Sequence, residues 1–294
     1  MNCKMPLFRY IMNTKKMTGG YMKILIIADV HQRFKVNAFR RKRTLRGLRN
    51  AFGNLDFDLS VFLGDLIHGP DYRDNKSRYV SDLKEVLDTT GNKPFAFVFG
   101  NHDDECAMTK DEILEVINGY KNSVTKGKDY VLNMNNETLL FIDSGSYYDG
   151  EGSFYDTVKE DTILRVREQI EGKKAIAFQH IIVPDIFDVI EKCGKKTFPL
   201  KKNRWRFKQG FEFTGNLREK PCPPDINTGE LKTLAPFLKG MVFGHDHIND
   251  FECFIDGVKI IQCPASGMNC YEYPRFPKAK ILDTETMETQ LIKL

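Results

Sequence analysis

Ile24-Leu25-Ile26-Ile27-Ala28-Asp29-Val30-His31 is the stretch that decides how this chain folds. Five apolar residues, three of them β-branched, run without interruption and stop at a carboxylate and an imidazole two residues apart. A run this short and apolar on both faces reads as a buried sheet strand. Residues just past the carboxyl end of such a strand are where α/β proteins place their chemistry. The design recurs. Leu59–Leu63 precedes Gly64-Asp65, and Phe95–Phe99 precedes Gly100-Asn101-His102-Asp103. Ala175–Phe178 precedes Gln179-His180, and Met241–Phe243 precedes Gly244-His245-Asp246-His247. Five of the six histidines lie in these blocks.

Between the runs, apolar residues at helical spacing predict helices over about 36–51, 78–89, 109–118, 158–171 and 230–239. Alternating strand and helix gives an α/β layered fold. Three further strand candidates, 138–142, 258–262 and 279–282, carry no such block and are expected to complete a second sheet. Residues 184–229, rich in proline and holding the only tryptophan, Trp205, break the rhythm. They read as an ordered insertion over the active face. No repeat or linker appears, so 22–294 reads as one domain. Residues 1–21, Met-rich and basic, read as a disordered extension.

The composition fits a globular enzyme, with 41% apolar and 29% charged residues over a length of 294. The net charge of +4 is mild. The basic runs Arg40–Arg43 and Lys195–Lys208 read as solvated faces, so nucleic acid is not required. Seven cysteines, an odd number without a Cys-x-x-Cys pair, favour free thiols in a reducing compartment. Arg9 interrupts the only apolar stretch near the start, and nothing approaches the ~18 apolar residues of a membrane span. The expected location is cytoplasmic, with no membrane partner.

Neutral imidazole mixed with carboxylate suits Zn, Mn, Fe and similar ions. Two ions ~4 Å apart need a bridging carboxylate, and Asp65 is placed for that role. Asp29 and His31 alternate by two, so on an extended segment they point the same way, and His245 and His247 repeat the pattern. Asn101 offers a neutral carbonyl oxygen. His102 is expected to point at substrate, with Asp103 holding its tautomer.

In order, Asp-x-His, Gly-Asp, Gly-Asn-His-Asp, a strand-end His and Gly-His-x-His resemble the calcineurin-like metallophosphoesterases, over residues 23 to about 285. Gly-His-Asp-His-x-Asn-Asp at 244–250, with Cys-Pro-Pro-x-x-Asn-x-Gly-Glu at 222–230, is similar to a small branch related to purple acid phosphatases. The resemblance implies a four-layer α-β-β-α sandwich and a dinuclear centre hydrolysing phosphate esters by attack of a metal-bridging hydroxide. It assigns Asp29, His31, Asp65 and His247 to one metal, and Asp65, Asn101, His180 and His245 to the other. It makes His102 the general acid or transition-state stabiliser, with Asp103 as its orienting partner. The purple enzymes carry tyrosine three residues after the Gly-Asp aspartate. Here that residue is His68, so a colourless divalent centre is expected, with Mn, Zn or Fe(II).

Arg204 and Arg206 are candidate contacts for a substrate phosphate. His68 reads equally as a substrate contact or a loop residue, and Tyr147, Tyr148 and Tyr155 as pocket or surface residues. The expected activity is a phosphomonoesterase acting on a phosphoprotein or a small phosphometabolite. The alternative is a phosphodiesterase for cyclic nucleotides or other small diesters. A non-catalytic scaffold ranks third, because every ligand position is intact.

Overall fold

Along β1 (Lys23–Ile27) the side chains of Ile24 and Ile26 face one way and those of Leu25 and Ile27 the other, and all four are fully buried. A strand buried on both faces must be covered by a layer on each side. The computed structural model describes residues 21–36, 38–149, 154–193, 205–270 and 277–294. The remaining strands are β2 (Leu59–Leu63), β3 (Phe95–Val98), β4 (Tyr130–Met134), β5 (Glu137–Ile142), β6 (Ala175–Gln179), β7 (Ile190–Lys192), β8 (Trp205–Phe207), β9 (Phe213–Asn216), β10 (Leu238–Phe243), β11 (Asp250–Ile255), β12 (Val258–Gln262), β13 (Lys278–Asp283) and β14 (Thr289–Lys293). The helices are α1 (Ala38–Asn54), α2 (Lys76–Leu87), α3 (Lys110–Asn118), α4 (Glu160–Gln169), α5 (Ile186–Val189) and α6 (Glu230–Leu234).

Two sheets stack face to face. One has the order β14-β13-β1-β2-β3, with β1, β2 and β3 parallel. The other has the order β4-β5-β6-β10-β12-β11-β9, with β5, β6, β10 and β12 parallel. Ile24 and Ile26 meet Leu139, Phe141, Ile176, Phe178 and Val242 between the sheets. Leu25 and Ile27 lie under Leu45 and Leu48 of α1 and Leu83 and Val86 of α2. On the far side Ala175, Ala177 and Met241 lie under Ile163 and Val166 of α4 and Leu231 of α6. The result is the expected α-β-β-α sandwich in one domain. Each buried large apolar side chain contributes roughly 1.5–3 kcal/mol, so three contiguous clusters hold the layers in register.

Two of the three strands without a block, 137–142 and 258–262, complete the second sheet beside the block-bearing β6 and β10, whereas Lys278–Asp283 joins the first sheet, antiparallel with β1. Pairing in a sheet depends on the covering layers, and a buried apolar strand carries no mark of which sheet it joins. The helix expected over 230–239 ends at Leu234, and a 3-10 turn over Ala235–Phe237 leads into β10. Pro236 lacks the amide hydrogen that would continue it.

Within 184–229, β7 and β8 form a two-stranded ribbon and β9 extends the edge of the larger sheet. Arg204 and residues 1–20 lie outside the described residues. Among the described residues no helix is long and apolar enough to cross a membrane, and Cys106, Cys193, Cys222, Cys253, Cys263 and Cys270 are free thiols.

Candidate metal centre

Each block begins where a strand stops, at the carboxyl ends of strands from both sheets. The first two blocks are locked together by backbone bonds, Asp29 N–H to Gly64 O at 3.1 Å and His31 N–H to Asp65 O at 2.9 Å. Asp29, His31, Asp65 and His245 have φ of 52°, 43°, 52° and 69°. Non-glycine residues rarely adopt this left-handed region, at a cost of about 1–3 kcal/mol each. This corrects the expectation of an extended segment. The side chains of Asp29 and His31 converge through left-handed backbone, not through strand alternation. Gly64, at φ 82°, lets the β2 end approach closely, since a Cβ there would stand 2.5 Å from His180 Nδ1.

The side chains meet at one point. His31 Nε2 lies 3.4 Å from Asp65 Oδ2 and 3.7 Å from Asp29 Oδ1. It is 3.1 Å from His247 Nε2, which is itself 3.3 Å from Asp29 Oδ1. His180 Nε2 lies 3.3 Å from Asp65 Oδ2 and 3.9 Å from Asp29 Oδ1. One donor atom each from Asp29, His31 and Asp65 lies within 4.8 Å of the others, and so it is for Asp65, His180 and His245. Asp65 belongs to both groups, as a bridging carboxylate would.

Hydrogen bonding shows that these residues fit cations. The His180 Nδ1–H donates to Leu63 O at 2.7 Å, which leaves the Nε2 lone pair facing the carboxylate oxygens. Asn101 Nδ2 donates to Tyr147 Oη at 3.1 Å. Asp29 Oδ1, Asp65 Oδ2, Asn101 Oδ1 and His180 Nε2 are buried without a hydrogen-bond partner. Lone pairs facing lone pairs in a buried site are costly unless a positive charge lies between them.

In the protein alone, protons must supply that charge. Burial lowers the His180 pKa, but Asp65 and Asp29 outweigh it and raise it to about 9. Burial also opposes charge on His247, yet Cys270 and Asp29 hold its pKa well above normal. Burial raises Asp65, and the surrounding imidazoles, His180 first, bring it well below the usual carboxylate range. His245 stays neutral, lowered to about 3 by burial and by His180.

Asp103 does not orient His102. Its carboxylate accepts backbone N–H groups from Asp65 (2.8 Å), Leu66 (2.9 Å), Ile67 (3.3 Å) and Gly100 (2.9 Å), tying the second and third blocks together. Burial and the Asp65 carboxylate push its pKa up to about 7, against these donors. The partner of His102 Nδ1 is Glu105, in the turn ahead of α3 rather than in a helix. His102 N–H donates to Asp65 Oδ1 at 2.8 Å, which fixes the histidine beside the cluster.

A cavity of about 210 Å³ opens on the cluster. His102 and His68 form part of its wall, their rings 5.0 Å apart. Burial and the nearby His31 lower His68 to about 3, so it is neutral. Tyr155 packs edge-on against His245 at 4.6 Å. Four further wall residues escaped the sequence reading: Arg33, Cys222, Asn269 and Cys270. Arg33 is held by two bonds of 3.0 Å to Asp71. Cys222 arrives because Asp246 Oδ1 accepts its N–H (3.1 Å) while Asn249 Oδ1 accepts those of Arg218 and Glu219. The joint occurrence of the 222–230 and 244–250 motifs was the available signal. Arg206 is not brought to the site. It pairs with Glu191 on the β7–β8 ribbon and is not among the residues lining the cavity.

Comparison with known proteins agrees with this geometry. The sequence model described as calcineurin-like phosphoesterase matches residues 22–261. The chain is 25% identical to "Probable inactive purple acid phosphatase 14" of Arabidopsis thaliana, over 94% of this chain and 77% of that protein. It is 28% identical to Phosphatase DCR2 of Saccharomyces cerevisiae, over 66% of this chain but only 36% of that longer protein. Among solved structures, a dimetal phosphatase from Danio rerio superposes with a TM-score of 0.57 at 14% identity, covering 92% of this chain and 98% of that one. With the family's sequence model covering strands β1 to β11 and all five blocks, the chain belongs to the calcineurin-like phosphoesterase family.

Proposed function

We propose that this protein is a metal-dependent phosphomonoesterase for a phosphoprotein or a small phosphorylated metabolite. The observation that carries the reading is the meeting of three buried, unpartnered lone-pair atoms, Asp29 Oδ1, Asp65 Oδ2 and His180 Nε2, with Asp65 common to two ligand groups. Asp29, His31, Asp65 and His247 would hold one divalent ion, and Asp65, Asn101, His180 and His245 the other. When bound, such ions polarise phosphoryl oxygens and lower the pKa of water.

The chain's own groups supply the rest. His102, fixed through its N–H to Asp65 and through its ring to Glu105, is placed to give a proton to the leaving-group oxygen. Arg33, held in place by Asp71, presents a guanidinium at the cavity wall, where it suits phosphoryl oxygens. Neutral His68 offers a hydrogen bond without adding charge. The cavity, about 210 Å³, is smaller than the ~300–1,000 Å³ of drug-sized sites. That size favours a phosphoryl group on a short arm over a polymeric diester.

The word inactive stands in the name of the Arabidopsis relative. In this chain the seven ligand residues and His102 are all present. Turnover of p-nitrophenyl phosphate and of its bis ester, with added Mn or Zn, tests the reading. The expected result is metal-dependent hydrolysis that prefers the monoester. A preference for the bis ester would move the assignment to small diesters. No turnover across a broad phosphoester panel would leave a non-catalytic protein.

A further inference from the structure

The loop after β12 is strapped to the fifth block and then to the first. Ala265 N–H donates to His247 O at 2.9 Å, Ser266 N–H to Ala28 O at 2.7 Å and Gly267 N–H to Asp29 O at 3.0 Å. Asn269 Nδ2 donates to His31 O at 3.2 Å. Gly267 makes this fit possible, because a Cβ there would stand 1.8 Å from Val30 O. The loop delivers Cys270 to the cavity wall, buried, with Sγ 3.2 Å from Asp29 O.

Cys270 thereby joins a ligand group that the five blocks do not account for. Its sulfur and one ring nitrogen each of His31 and His247 lie within 4.8 Å of one another. On the same side Asp29 Oδ1, fully buried and without a hydrogen-bond partner, faces His247 Nε2 at 3.3 Å and His31 Nε2 at 3.7 Å. Donor atoms around a four-coordinate ion at about 2.0–2.3 Å stand roughly 3–4 Å apart, so a small side-chain rotation brings the sulfur into the sphere. The other cysteine of the cavity, Cys222, directs its sulfur at Lys220 O at 3.5 Å and is exposed.

We infer that Cys270 is a thiolate ligand of the ion held by Asp29, His31 and His247, an inference that rests on the metal-dependent reading above. As the sulfur–metal bond forms, the thiol proton now directed at Asp29 O passes to water, and the thiolate offsets one unit of the cation's charge. Sulfur is a soft donor, so this position selects Zn, Co(II) or Fe(II) over Mn.

The test is the absorption spectrum of the full chain loaded with Co(II), which needs no turnover. An intense near-ultraviolet sulfur-to-cobalt band is expected, lost in Cys270→Ser and kept in Cys222→Ser. Cys270→Ser should weaken Co(II) and Zn(II) binding at this position roughly tenfold or more, with Mn(II) binding changed far less. Cobalt bound by the wild-type chain without a sulfur band would overturn the thiolate assignment and leave the metal-dependent reading standing. So would a band that survives in Cys270→Ser. Failure to bind Co(II) at all would overturn both. If the serine variant does not fold, Cys270→Ala takes its place, and a band that survives in it overturns the assignment in the same way.

Discussion

The ring of His102 is hydrogen-bonded to Glu105, three residues on, while the adjacent Asp103 turns away to gather backbone amides. Two neighbouring acids therefore have different roles, and mutation should separate them. Glu105→Gln is expected to lower kcat by about 10–100-fold with KM and metal content little changed, as for groups that orient an active residue. Steady-state kinetics with metal analysis checks this, and an equal loss from Asp103→Asn with Glu105→Gln silent would reverse the assignment.

Asp103→Ala should act on stability instead. It leaves backbone N–H groups of Asp65, Leu66 and Gly100 buried and unpaired, at about 1–3 kcal/mol each if none finds water. A loss of roughly 3–5 kcal/mol in urea unfolding is expected, together with lost metal, because those amides position Asp65.

His102→Ala should keep both metals and the fold while turnover falls ~10²–10⁴-fold, the range for general acid catalysis. Parallel losses of metal and activity would show that the residue holds the centre together.

Metal should stabilise the folded chain. The cluster brings carboxylate and imidazole lone pairs together, so chelation is expected to lower Tm and divalent ions to raise it, the folded state gaining about 1.4 kcal/mol per tenfold of free ion above Kd. Asp65→Asn should abolish most of the response, because Asp65 is common to both ligand groups. An unchanged Tm in wild type, by differential scanning calorimetry, would contradict the proposed ligand set.

Glu230 gives a pH dependence away from the cluster. Burial raises its pKa from 4.5 to about 8, with Gln179 opposing. The folded state therefore holds this proton more tightly than the unfolded chain, and the associated stability is complete below pH 4.5. It is lost as pH rises towards about 8, by an amount on the order of a few kcal/mol. Glu230→Gln should flatten that decline between about pH 5 and 8, measured by urea unfolding across pH.

The fold and the convergence of the five blocks were legible because each block sits at the end of a short apolar strand, and strand ends must converge on a sheet edge. Local order carried that information. Asp103 was misread because its amide donors lie 36 to 38 residues away, apart from Gly100, and meet only in the fold. The sheet of Lys278–Asp283 was misread because antiparallel pairing with β1 leaves no trace in a short apolar run. Cys270 and Cys222 looked like ordinary thiols, since their placement depends on Gly267 meeting Val30 and on Asp246 and Asn249 holding a distant loop.

The left-handed backbone at Asp29, His31, Asp65 and His245 has an evolutionary consequence. Glycine would relieve the strain at each of these positions, so a mutation that destroys the centre there could at the same time make the chain more robust. A lineage freed from binding metal would drift towards glycine at these four sites. Side chains that persist there act as a running record of selection on the chemistry, and the family's silent members can be sorted by reading them.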